Sequence, residues 1–193
     1  ADLQFQSIST EQWKNYITKN LLKKNKVDFN LDEWLYSPAL PNAHAEIKSN
    51  KFKRVNSRLR EFTRIARLDR SNTRSWSTHE WLHFIRGLPT DLHISFYEKL
   101  DDVYQLSESG NSEILSAWLE LSIRNNYLIK NQPKLEEFLV SVGRRKFLTP
   151  LYRALIETER TDLAKKIFAE AKSNYHSVSS NSIASLLGLD QNI

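Results

Sequence analysis

Apolar residues recur at helical spacing along almost the whole chain, and no alternating run of useful length interrupts them. Phe52, Val55, Leu59, Phe62 and Ala66 are the clearest case. They fall at i, i+3, i+7 and onward, which gives the segment 48–68 one apolar face. Start and stop signals frame further segments of the same kind. Ser9 with Gln12 and Ser77 with Glu80 have the spacing of capping boxes, and Asn30 with Glu33 repeats it ahead of 31–36. Helices are also expected over 90–106, 111–125, 147–157, 162–174 (capped by Thr161) and 182–187. Pro133 suits a helix start and Gly143 a left-handed helix end. Pro38 and Pro41 break the chain into an extended crossing.

Four glycines and five prolines in 193 residues leave little material for a turn-rich β fold. Helices joined by short links stack on antiparallel neighbours. The expected architecture is therefore all-α: a right-handed, two-layer helical array of eight to ten helices, an α-α superhelix of the HEAT or armadillo kind. It is read as one domain over 1–193, without a fixed sequence period. Five tryptophans, nine phenylalanines and seven tyrosines supply core bulk. Trp13, Trp34, Phe62, Trp118, Leu151 and Phe168 are expected inside. The absence of cysteine excludes disulfides, thiolate metal sites and thiol catalysis. No apolar run approaches the roughly 20 residues that cross a bilayer, so no membrane partner is expected. A cytoplasmic setting is favoured and a periplasmic one stays open.

The net charge of +5 is concentrated. Residues 48–74 carry ten lysines and arginines against Glu61 and Asp69. Arg60, Arg64 and Arg67 would form a ridge able to follow phosphates. One candidate function is therefore a basic helical solenoid that binds nucleic acid or an acidic protein partner. Against nucleic acid, Phe52, Leu59 and Phe62 interleave as core-facing positions rather than as stacking platforms.

A second function comes from the order of several short motifs. Trp13 lies in the first helix, and Asp32-Glu33-Trp34-Leu35-Tyr36-Ser37-Pro38-Ala39-Leu40-Pro41 follows. Then come Asn111-Ser112-Glu113-Ile114, Trp118-Leu119, the stretch from Gly143 to Leu155, and Tyr175-His176-Ser177-Val178. In this order and spacing the chain resembles the C-terminal helical domain of leukotriene A(4) hydrolase-like zinc aminopeptidases, with a weak match over 43–75. The resemblance implies a non-catalytic domain, excised from a longer metallopeptidase, that packs on catalytic and N-terminal domains and walls the cleft. It also implies peptide substrates, zinc held in the absent catalytic domain with no cofactor in this chain, and a possible epoxide hydrolase activity of the parent. The family's carboxylate-binding arginine and lysine fall on Arg144 and Lys146, a fork and a mobile point charge suited to a peptide's free carboxylate. Arg145 stands where better-known members carry an uncharged residue, which bears on how focused the cationic site is. A plainer reading also exists: three cations just past a helix C-terminus complement its dipole.

His79-Glu80-Trp81-Leu82-His83 spells the zincin HExxH pattern, and Asp102 falls where a third ligand would. We read it as a chance match. The Ser77–Glu80 box puts His79 in a first turn, Pro89 uncouples Asp102, and the peptidases' Gly-x-Met-Glu-Asn motif cannot occur without methionine. His44, His93 and His176 have no partner spacing, His176 being read as a stabiliser of a helix end. No serine sits in a nucleophile elbow.

Overall fold

The Ser9, Asn30 and Ser77 cap signals read from the sequence are each where a helix begins. The computed structural model describes residues 4–41, 44, 49–125 and 127–189, and among them there are helices and no strand. The chain is all-α. It divides into two compact units, 1–48 and 49–193, each described by itself.

In the first unit, α1 (Thr10–Ile17) opens on the full Ser9–Gln12 capping box and runs into a π-helical segment, Thr18–Lys23. The short α2 (Leu31–Tyr36) is capped by Asn30, whose side chain accepts from the Glu33 N–H. Lys14 pairs with Asp32, and the Tyr36 hydroxyl donates to Glu11, tying α1 to α2. The two expected core tryptophans do not enter a core: Trp13 is 37% exposed and Trp34 42%. Two short helices offer too few neighbours to enclose an indole. Trp34 is instead stacked on Phe29, ring centres 5.7 Å apart.

The second unit holds α3 (Lys51–Ile65), α4 (Arg70–Thr73), α5 (Thr78–Arg86), α6 (Ile94–Tyr104), α7 (Ser112–Arg124), α8 (Leu128–Ser141), α9 (Arg145–Glu157), α10 (Thr161–Ala171) and α11 (Ser177–Leu186). Helix α3 packs on α5, α5 on α7, α7 on α9 and α9 on α11, which makes one layer. On the other side α8 lies against α7 and α10, and α10 against α9. The Asn111 side chain, which caps α7, also donates to Thr78 Oγ1 at 3.0 Å. Helices α5 and α7 therefore start at the same edge of their layer.

Two apolar clusters fill this unit, and α7 belongs to both. Ala117, Trp118 and Leu121 join Val55, Phe62, Phe84, Tyr97 and their neighbours. Leu115, Leu119 and Ile123 join Leu135, Leu148, Leu151, Phe168 and theirs. A helix that is apolar on nearly every face is a buried helix. Phe62, Trp118, Leu151 and Phe168 are buried as expected.

Several local expectations fail. Phe52 is 49% exposed and stacks on His83, ring centres 4.4 Å apart. Pro133 lies inside α8, which already begins at Leu128. Thr161 is the first residue of α10 rather than its cap. Helix α11 starts at Ser177, five residues before the expected 182, because His176 Nδ1 accepts from the Val178 N–H at 3.3 Å. His176 thus opens α11 instead of closing the helix before it.

Candidate functional site

Helix α8 ends at Ser141 and Val142 is extended. Gly143 is not left-handed; that conformation belongs to Gly188 among the glycines. What requires a glycine at 143 is a close approach. A Cβ there would lie 3.2 Å from the Asn174 carbonyl oxygen and 3.7 Å from Tyr175. The same two residues hold the end of α8 from outside. Asn174 Nδ2 donates to the Val140 carbonyl at 3.2 Å, and the Tyr175 hydroxyl to the Leu139 carbonyl at 2.5 Å. Tyr175 also meets the Tyr152 hydroxyl at 3.1 Å, and burial pushes its own pKa up to about 12. The turn between α8 and α9 is therefore braced by buried, un-ionised tyrosines.

From that turn the chain enters α9 with Arg144 at the cap position, Arg145 first and Lys146 second. No side chain caps this end. The three charges thus occupy the positive end of the α9 dipole, where a cation is unfavourable and an anion welcome. Arg144 and Lys146 both reach the buried ring of Phe147, 5.8 and 5.6 Å from its centre, and that ring packs edge-on against Phe138 at 6.0 Å. Arg145 goes elsewhere and lines a shallow pocket with Thr149, Arg153, Ser182 and Ser185.

Lys146 Nζ makes an ion pair with Glu113, the second residue of α7. The Lys146 hydrogen bond, aided by the charges of Arg144 and Arg86, holds the Glu113 carboxyl below its ordinary range. Sequence reasoning did not single Glu113 out. It stood inside a quoted motif, but its partner is 33 residues away.

The HExxH residues are brought together on α5 but engaged in other work. Ser77 donates to Glu80 from both its backbone (3.0 Å) and its hydroxyl (2.8 Å), and these bonds lower the Glu80 pKa, the backbone one most. His83 Nε2 is 2.7 Å from Asn56 Oδ1, and His79 is exposed in the first turn. Asp102 sits on α6, with Lys130 at 3.9 Å. These residues do not fit a zinc site. Among the described residues, no three His, Asp or Glu side chains are grouped to hold a metal ion.

The other basic region, on α3, is more diffuse. Arg58 bonds Glu61 at 2.7 Å, Lys51 lies 3.8 Å from Glu80, and Arg60 turns back to Ser57 at 3.2 Å.

Comparison with known proteins places these residues in context. The family described as leukotriene A4 hydrolase, C-terminal, matches residues 76–187. Mouse aminopeptidase B is 28% identical over 204 residues, covering 96% of this chain and 31% of that protein. Leukotriene A-4 hydrolase of Xenopus laevis is 27% identical over 201 residues, 93% of this chain and 31% of that protein. Leucine aminopeptidase 2 of Yarrowia lipolytica is 37% identical over 79 residues, 41% of this chain and 12% of that protein. The chain thus spans less than a third of the length of each of these relatives.

Proposed function

The chain belongs to the leukotriene A4 hydrolase C-terminal family, and from that premise we propose that it serves as the non-catalytic helical domain of a zinc aminopeptidase. In this reading it packs on a catalytic domain of the same polypeptide, walls one side of the substrate cleft, and binds the free carboxylate of a peptide through Arg144 and Lys146. Hydrolysis would belong to the catalytic domain, whose zinc, when bound, would supply Lewis-acid chemistry.

One observation carries the proposal. Two cations of complementary geometry meet around a single buried ring, at an uncapped helix start on a braced turn. Arg144 supplies a planar fork that can grip both carboxylate oxygens, and Lys146 supplies a point charge. Their task is positional. A peptide held at its C-terminal end presents its N-terminal bond in a fixed register, and alignment of this kind raises rate as well as affinity. Peptide length then becomes a selected property, because carboxylate and scissile bond must reach their places together.

Matched free-acid and C-terminally amidated tripeptides test this in the full-length protein, with wild type and Arg144→Ala. Wild type should prefer the free acid. Arg144→Ala should lower kcat/KM for the free acid and leave the amide nearly unchanged. Equal losses on both substrates would make Arg144 a structural residue of the α8–α9 junction and overturn the reading.

A further inference from the structure

We propose that Glu113 sets how strongly this site prefers a free carboxylate, by holding Lys146 in competition with the substrate; the inference rests on the carboxylate-binding reading above. Glu113 carries the same chemical group as the proposed ligand, and it is already on one of the two proposed anchors. Its side chain is part-buried at the start of α7, while Lys146 leans toward it from the start of α9. The neighbouring charges that act on it are the cations Lys146, Arg144 and Arg86. A single carboxylate among these cations lowers the positive potential that an incoming carboxylate meets.

An ammonium has three donors, so Lys146 can hold two carboxylates at once. Those two carboxylates repel each other, and the repulsion is felt by every substrate that carries a C-terminal charge. It is present in the bound ground state and in the transition state alike, so it acts on KM rather than on kcat. Without Glu113, Lys146 would be fully available and the site would hold free acids more tightly. Glu113 thus tunes selectivity by charge, through Lys146, without touching the scissile bond.

Glu113→Gln preserves shape and removes charge. In the full-length protein it should lower KM for a free-acid tripeptide by about three- to tenfold, the size expected for relieving one repulsion at roughly 6 Å that solvent screens almost as in bulk water. The kcat for that substrate and both constants for the matched amide should stay as in wild type. In a Lys146→Ala background the ammonium that brings the two carboxylates together is gone, so the same substitution should have a much smaller effect. An unchanged or raised KM for the free acid overturns the proposal, as does an equal change for the amide or a full effect without Lys146. The parent reading is checked in the same assay. If wild type does not distinguish acid from amide, that reading fails and this one with it. If the distinction stands and Glu113→Gln leaves KM alone, only this one fails.

Discussion

Helix α3 and the start of α9 are both rich in cations, and each begins on an uncapped first turn that carries several. On α3 the charges run along the solvent side, with Arg64 in the last turn, where the dipole favours it, and with Glu61 and Glu80 within reach of Arg58 and Lys51. On α9 they crowd the first turn, where the dipole opposes them. Charge on α3 is thus spread along its helix, although Lys51, Lys53 and Arg54 stand in a first turn that the dipole opposes too. Charge on α9 is set apart by what it touches, since Arg144 and Lys146 share the ring of Phe147. Where a charge sits says more than how many there are.

The largest expected difference between the two regions lies in the aromatic ring beneath the charges. Phe147→Ala should destabilise the fold by about 3–5 kcal/mol, because it empties a buried position. Phe52→Ala, on α3, should cost only about 1 kcal/mol, since that ring is half exposed. Urea unfolding of both variants decides the matter, and equal losses would erase the contrast. Next in size is function. Arg144→Ala should remove about 2–4 kcal/mol of transition-state stabilisation for free-acid peptides, while Arg60→Ala on α3 should change kcat/KM for neither substrate.

The α8–α9 turn gives a third, smaller test. Gly143→Ala should cost about 1 kcal/mol, because its Cβ meets the Asn174 carbonyl and the bracing must give. The smallest effect isolates the helix ends. Arg145→Glu should stabilise the fold by about 0.3–1 kcal/mol and Arg64→Glu should destabilise it by a similar amount, both effects fading in high salt. The same sign for both would show that the dipole does not govern either position.

Features with local causes were legible in the sequence. The Ser9–Gln12 and Ser77–Glu80 boxes and the Asn30 cap form where their spacing indicates, since each partner lies within one turn. Arg144 and Lys146 were picked out by resemblance, and the structure adds their common contact with Phe147. Apart from the His176 cap of α11, what escaped depends on distant residues. Gly143 looks like any glycine after a helix until Asn174 arrives from 31 positions on. Glu113 meets its lysine only because α7 packs beside α9. Trp13 and Trp34 failed for a different reason: a bulky apolar side chain states a preference for burial but does not supply the neighbours that bury it.

Helix α7 has a consequence for how this chain tolerates change. Most of its faces are occupied, one set of residues by the cluster around Phe62, Phe84 and Tyr97 and the next by the cluster around Leu135, Leu148 and Phe168. A substitution at Trp118 or Leu119 cannot be absorbed by solvent, and relaxing one side compresses the other. The variants this helix accepts are therefore the overlap of two separate lists. Glu113 rides at its tip, so a repacking that turns α7 also re-aims the carboxylate at Lys146. The residue proposed to tune the site is thereby tied to a helix packed on two sides.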